Sequence, residues 1–314
     1  MPHKIICREI FSKTTAFGRG IVVLHLNVKS KIMETLTALY VVPTPLGNLA
    51  DISERAVSVL CSVNVIAAED TRHTALLLKH CGCKTPMLSL HEHNEGRVAQ
   101  KIIARLHLGE SVALVSDAGT PTISDPGARL VARVLEEGFR IIPLPGPCAA
   151  ITALSASGLT ESRFLFYGFL PSKAKAREEV LRKLIALPYV LIFYEAPHRI
   201  ISTVKAIQLV FGEERTLVVA RELTKIFETI HKGSIKDVLA WLLGDVNQQR
   251  GEFVLLLEGV EQKMEGGTAD KLLKMLLDEG LPVKQVARIA SALTGDSKNI
   301  LYKKALQILQ MNVR

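Results

Sequence analysis

Apolar, β-branched runs recur at Leu39–Val42, Val63–Ala67, Met87–Leu90, Val112–Val115 and Ile141–Leu144. The stretches between them have helical spacing, as in Val98, Ile102, Ile103 and Leu106. This alternation predicts a series of βαβ units and a mainly parallel sheet. A helix opened by proline is expected over 147–157, punctuated by Gly158. A second series then begins: strand Phe164–Phe169, charged helix Ala174–Ala186, strand Tyr189–Tyr194, helix His198–Phe211 and strand Thr216–Ala220. It closes with Phe227–Ile230, a short helix Ile235–Leu243 and strand Glu252–Leu257. The fold class expected is α/β, with two lobes, each built on its own sheet, and a ligand cleft where they meet near Leu159–Ser162.

Gly259–Ala269, rich in glycine and charge, reads as a linker. Three short helices are predicted beyond it, Asp270–Asp278, Val283–Leu293 and Lys298–Leu309, broken by Glu279–Pro282 and by Thr294–Asp296. Their spacing has the shape of a helix-turn-helix module, and a small packing or dimerisation module fits equally. The domains expected are therefore an N-terminal extension over 1–35, poorly ordered, two α/β domains over 36–158 and 159–260, and a helical module over 268–314. Residues 1–32 are basic but lack the amphipathic pattern of a transit peptide, and Met33 precedes the first clear strand; an upstream extension is favoured over a targeting signal.

Composition changes this picture little. Hydrophobic content of 48% with 22% charged residues is that of a soluble globular chain, and no apolar run approaches the roughly 18 residues of a membrane span. Five cysteines do not resemble a secreted disulfide framework and favour a reducing, cytoplasmic setting. The net charge of +8 sits at the ends of the chain, with six Lys/Arg against one Glu in residues 1–32 and eight against four acids in 266–314. An electrostatic footprint for nucleic acid would therefore be terminal, and a solvated basic surface is the competing reading.

Candidate chemistry gathers where strands end. After Val115 comes Ser116-Asp-Ala-Gly-Thr-Pro-Thr-Ile-Ser-Asp-Pro-Gly127, a glycine- and proline-rich loop placed where open α/β sheets hold ligands. The chain has neither a G-x-G-x-x-G opening a helix nor a phosphate-cradling P-loop. Asp117 is the carboxylate suited to a ligand hydroxyl or amine, Gly119 and Thr120 bring backbone close, and Asp125-Pro-Gly127 reads as a cap and first helical turn. Pro43–Ser53 forms a rigid turn whose backbone can approach a ligand closely, the reading favoured beside the Asp117 loop; the alternative is a tight βα turn with Ser53 capping the next helix. In Glu69-Asp-Thr-Arg-His-Thr74, Arg72 is suited to a phosphate and Glu69 or Asp70 to a hydroxyl; alternatively Asp70 or Thr71 caps the helix and Arg72 pairs with Asp70. His91-Glu-His-Asn-Glu95 is expected to be a polar patch lining the substrate, with Asn94 as a cap; a metal site with Cys81 and Cys83 is rejected on spacing. Cys148, in Pro145–Ala150, reads as a small packing residue rather than a nucleophile. Tyr194–Arg199 and Ala220–Thr224 repeat the arrangement of polar residues at strand ends and are expected to close the cleft.

Seven collinear segments, P-T-P-L-G-N-L-A-D-I-S, E-D-T-R-H-T, H-E-H-N-E, S-D-A-G-T-P-T-I-S-D-P-G, P-G-P-C-A-A, E-A-P-H-R-I and R-E-L-T-K, resemble the tetrapyrrole methylase superfamily, the class III S-adenosylmethionine-dependent methyltransferases. The resemblance covers about residues 36–312 and is narrowest to the branch that methylates a cytidine ribose 2′-hydroxyl in small-subunit (16S) ribosomal RNA. It implies two α/β lobes with S-adenosylmethionine between them at Leu46, Asp117, Ala118, Gly119, Thr120, Cys148, Ala149, Tyr194 and Ala220. It also implies ribosomal RNA or a ribosomal particle as partner, a homodimer, and no metal. Pro43 and Cys148 depart from the alanine and serine usual in that branch. Methyl transfer to a ribose hydroxyl makes Glu69 or Asp70 the candidate for the hydroxyl and Arg72 for a flanking phosphate, with His91 and His93 as rivals. Two further readings stand beside it: methylation of a tetrapyrrole (corrin) precursor, and a non-catalytic, nucleotide-responsive RNA-binding regulator.

Overall fold

The computed structural model describes residues 36–260 and 266–312. The expectations for residues 1–35 lie outside the described residues.

The first lobe alternates strands β1 (Leu39–Val41), β2 (Val65–Ala68), β3 (Met87–Ser89), β4 (Val112–Val115) and β5 (Ile141–Pro143) with helices α1 (Glu54–Ser62), α2 (Thr71–Cys81), α3 (Glu95–His107) and α4 (Ala128–Glu136). The strands form one parallel sheet in the order β3-β2-β4-β1-β5. Alternate side chains face opposite layers. Tyr40, Ile66, Ala68, Ala113 and Val115 pack on α1 and α2 through Val59, Leu60, Leu77 and Leu78. Leu39, Val65, Ala67, Val112 and Leu114 pack on α3 and α4 through Ile102, Leu106, Leu130 and Val134.

The cysteines depart from expectation at one point. Cys61, in α1, and Cys83, just beyond the left-handed cap at Gly82, are joined by a disulfide, with Cα atoms 4.8 Å apart. Cys81 and Cys148 are free. The pairing joins residues 22 apart on neighbouring elements, a proximity that a cysteine count does not carry.

The second lobe has strands β6 (Phe164–Phe169), β7 (Val190–Glu195), β8 (Thr216–Arg221), β9 (Thr229–Ser234) and β10 (Phe253–Leu257) in the order β6-β7-β10-β8-β9. Only β6 and β7 are parallel; the other pairs are antiparallel. Three helices, α6 (Ala174–Leu184), α7 (Ile200–Phe211) and α8 (Ile235–Gly244), cover one face. The other face receives α5 (Ala149–Ala156), whose Ala150 and Ala153 are buried among Ile192, Val218, Ala220 and Leu256. By packing, then, the chain passes from one lobe to the other before α5, ahead of the punctuation at Gly158. Strand β9 lies later than the expected Phe227–Ile230. Ile226 and Phe227 are exposed loop residues, and the strand itself is a half-covered edge of mixed polarity.

Helices α9 (Gly266–Asp278), α10 (Val283–Thr294) and α11 (Lys298–Asn312) enclose a small core of Ala269, Leu273, Val286, Ala287, Ala290, Leu301 and Ala305. Helix α9 begins four residues before the expected Asp270, on a glycine pair that gives no helical signal. Among the described residues no helix is long and apolar enough to cross a membrane.

Candidate functional site

Strands β1 and β4 are neighbours, yet β1 leads into α1 on one face of the sheet and β4 into α4 on the other. Their C-terminal ends therefore diverge around a crevice, the place where such sheets accept ligands. The two loops leaving these strands are tied together. Thr44 and Gly119 exchange backbone hydrogen bonds of 2.9 Å each way, and the Thr44 hydroxyl donates to Ser116 C=O at 3.1 Å. Gly119 has φ +83°, and a Cβ there would stand 3.2 Å from Leu46 and 3.7 Å from Pro147 O. Only glycine serves at this close approach.

The crevice opens into a cavity of about 390 Å³, the size of small-molecule sites, whose far wall comes from the second sheet. Of the nine positions that the resemblance implies for the cofactor, Leu46, Asp117, Ala118, Gly119, Thr120, Cys148, Ala149 and Tyr194 line it. Ala220 does not. It is fully buried in β8, a lateral in-register neighbour of Val254, which does line the cavity, and it packs with Val254 on the face that receives α5. The Tyr194 hydroxyl accepts the Ala150 N–H at 3.1 Å, and burial, with the neighbouring Cys148, raises its pKa so that it stays neutral. Thr120 Oγ1 donates to Pro147 O at 2.8 Å. Leu223, from the Ala220–Thr224 strand end, completes an apolar side with Phe169, Phe253 and Val254, which the strand-end pattern did not single out.

The opposite side is acidic. Glu69, Asp117 and Asp125 all face the cavity. Asp117 Oδ1 accepts the Asp70 N–H at 3.0 Å, and the Asp117 N–H donates to Glu69 Oε2 at 3.4 Å, so the ends of β2 and β4 hold each other. Burial and the charges of Asp117 and Asp70 push the Glu69 carboxyl above its ordinary range, against the Asp117 hydrogen bond. Burial, then repulsion from Glu69 and Asp117, pushes Asp125 up to about 6, against a hydrogen bond with Ser116.

Asp125 overturns an expectation. It is not the cap of α4. Gly127 occupies the cap position with φ +122°, and the free N–H groups of Gly127 and Leu130 both donate to Glu95 Oε1, at 3.1 and 3.0 Å. Glu95, expected in a substrate-lining patch, is buried and serves α4 from α3. Asn94 also differs: it stands at the cap position of α3, but its Oδ1 accepts from His91 N–H at 2.9 Å and makes no bond to the helix. His91 and His93 are exposed and outside the cavity lining.

Asp70 and Arg72 take the alternative arrangement weighed for them. Asp70 caps α2 through Arg72 N–H at 2.8 Å and pairs with the guanidinium at 2.7 Å. That contact holds its carboxyl down to about 2. The Arg72 side chain is 90% exposed, and neither residue lines the cavity.

The charged strand ends of the second lobe are internally paired. Glu195, with no exposed side-chain surface, stands 3.1 Å from Arg199 Nε and accepts from Thr203 Oγ1 at 2.6 Å and from Ala196 N–H at 2.8 Å. Arg221 reaches Asn247 O, Arg250 O, Phe227 O and Thr229 Oγ1, all at 3.2–3.3 Å. Lys225 bridges Glu222 and Glu252 at 2.8 and 2.9 Å and lies over Gly47 of the first lobe. Among the described residues four non-glycine residues have positive φ, Thr122, Ser124, Glu222 and Thr224, and all lie in the two loops beside the cavity. Such backbone costs on the order of 1–3 kcal/mol per residue and collects at functional sites.

An apolar wall facing carboxylates suits a ligand with a flat apolar part and a cationic centre. Comparison with known proteins agrees with that geometry. Residues 38–239 match the family described as Tetrapyrrole (Corrin/Porphyrin) Methylases, and 264–309 match the RsmI C-terminal HTH domain. Ribosomal RNA small subunit methyltransferase I of Escherichia coli O157:H7 is 52% identical over 270 residues, covering 86% of this chain and 94% of that one. Among solved structures, the methyltransferase CobJ superposes with a TM-score of 0.55 at 17% identity, over 71% of this chain and 94% of its own. The uroporphyrin-III C-methyl transferase of Thermus thermophilus, solved with S-adenyl homocysteine, gives 0.50 at 15%, over 70% and 97%. At these identities the solved structures show the shared fold alone.

Proposed function

The chain belongs to the tetrapyrrole (corrin/porphyrin) methylase family, and on that premise we propose that it is the S-adenosylmethionine-dependent methyltransferase of a cytidine ribose 2′-hydroxyl in small-subunit ribosomal RNA. The observation that carries this is the pairing, in one chain, of the methylase match with the terminal helix-turn-helix match, as in a relative 52% identical across both. A tetrapyrrole substrate and a non-catalytic regulator both leave that pairing without a reason.

The residues present fit the cofactor. The cavity has the volume for a nucleoside-sized ligand, Gly119 leaves the floor open where any side chain would meet Leu46, and the carboxylates match a cationic ligand. Leu46, Asp117, Ala118, Gly119, Thr120, Cys148, Ala149 and Tyr194 would hold it, with Ala220 packed beside the lining residue Val254. When bound, S-adenosylmethionine supplies a methyl group on a positively charged sulfur. The chain's own residues position the acceptor and manage its proton, because a ribose hydroxyl is a poor nucleophile until it begins to lose it.

In this proposal Glu69 accepts from the acceptor hydroxyl. Asp70 holds Arg72 at the rim, where the exposed guanidinium meets a flanking phosphate. The two α/β domains form the cofactor site, the terminal module contacts RNA, and the protein works in the cytoplasm as a homodimer, as the resemblance implies. Mapping 2′-O-methylation on small-subunit rRNA with and without the gene tests the activity, and loss of no mark would sink it. Asp70→Ala should weaken methylation of ribosomal particles; full methylation by that variant removes Asp70 from the assignment.

A further inference from the structure

We propose that Asp125 is a catalytic carboxylate of this cavity, sharing with Glu69 the proton that leaves the acceptor hydroxyl. The proposal rests on the methyl-transfer reading of the site and adds a residue to it.

Three observations carry it. First, Asp-Pro-Gly ahead of a helix is a sequence for capping, yet the capping work at α4 is done from another helix by Glu95, through hydrogen bonds of 3.1 and 3.0 Å to Gly127 and Leu130. The Asp125 carboxylate is thereby left to face the cavity. Second, the loop that presents it holds Thr122 at φ 74° and Ser124 at φ 68°, conformations that side chains rarely adopt. Ser124 itself abuts Gly168 of the second lobe, where a Cβ would stand 2.8 Å from its hydroxyl, so the strained loop is held in place from across the cleft. Third, the groups facing Asp125 are acidic or neutral. They are Glu69 from β2, Asp117 and Ser116 from β4, and Tyr194 from β7. No Lys, Arg or His lines the cavity among the described residues. Of the other acids on its wall, Glu195 is paired with Arg199 and Glu252 with Lys225.

Glu69 and Asp125 thus have no cation at hand; Glu69 raises the affinity of Asp125 for a proton, and Asp117 and Asp70 raise that of Glu69. A carboxylate that takes a proton near neutrality suits a general base better than one held at about 2, as Asp70 is. In the step, the ribose oxygen bonds to the methyl carbon as the carbon–sulfur bond breaks, its electron pair remaining on sulfur. The hydroxyl proton passes to the Glu69–Asp125 pair and from there to water.

The test uses the full chain, ribosomal particles from a strain lacking the gene, and three readouts: kcat between pH 5 and 9, calorimetric affinities for S-adenosylmethionine and S-adenosylhomocysteine, and thermal melting. Asp125→Asn should lower kcat by about 100-fold or more and abolish the acid limb near pH 6, while the affinity for neutral S-adenosylhomocysteine stays within about threefold. In the wild type, affinity for the cationic cofactor should rise through pH 6 relative to the neutral product; in Asp125→Asn that rise should vanish. A kcat within about threefold of wild type with an unmoved limb overturns the proposal, as does equal loss of product affinity and kcat, which would make Asp125 a ligand-holding residue. If Asp125→Asn does not fold, Asp125→Glu decides: its acid limb must move, and an unmoved limb overturns the proposal. A wild-type protein that transfers no methyl group at all sinks the activity itself, a result separate from any of these.

Discussion

The strand ends of the two sheets look alike in sequence and differ in what their charges do. In the first lobe, Glu69, Asp117 and Asp125 face a cavity with no cation on its wall among the described residues. In the second, Glu195 is locked to Arg199 and Thr203, Arg221 is spent on the backbone of two loops, and Lys225 ties Glu222 to Glu252. A buried charge that is paired and fully hydrogen-bonded serves the scaffold; one left among like charges costs stability and is retained for another reason. Under the proposed function, the first set serves the chemistry and the second the frame that holds it.

That division can be broken by measurement. The largest expected effect is on the second lobe: Glu195→Ala leaves Arg199 and Thr203 without their partner, and should cost about 3–5 kcal/mol, a fall in Tm of roughly 10 °C or more. A fall of less than about 2 °C would mean that Glu195 is not scaffold at all. Next comes Glu95→Ala, which strands the buried N–H groups of Gly127 and Leu130 and should lower stability by about 2 kcal/mol in urea unfolding.

Asp125→Asn should do the opposite. The folded carboxyl titrates at about 6, above its ordinary 3.8. As pH rises from about 4 to 6 the unfolded chain releases this proton first, so the wild type loses stability across that window and keeps the penalty above it. The variant should therefore melt higher than wild type above about pH 6.5, by a few degrees, and no higher below about pH 4. A lower Tm at neutral pH would place Asp125 with the scaffold. The smallest effect is that of Arg72→Ala: no change in melting, and a dependence of RNA affinity on salt shallower by about one unit of log–log slope.

The two-lobed α/β fold was legible because continuous apolar runs such as Val112–Val115 are buried to their full length, and each is followed by its own loop. Eight of the nine cofactor positions lie together on the cavity because seven follow β1, β4 and β5, neighbours in one parallel sheet, and Tyr194 faces them from β7. Ala220 lies one strand over from the lining residue Val254, on the same face but covered, a difference that depends on strand order across the sheet. Local rules favour a cap at Asp125, and the competitor that overrides them, Glu95, is about thirty residues away. The edge strand β9 was placed early because the apolar pair Ile226–Phe227 is a protruding loop.

The paired exchange between Thr44 and Gly119 has a thermodynamic meaning of its own. It is an isolated antiparallel bridge beyond the last residues of the parallel pair β1 and β4, so the cavity floor is two loops tied to each other rather than a pair of free loops. Ordering that floor is an entropy cost met when the chain folds, not when ligand arrives. Amide exchange at Thr44 and Gly119 should then track global unfolding with or without cofactor, while any tightening on binding falls on the strained loops at Thr122–Asp125 and Glu222–Lys225.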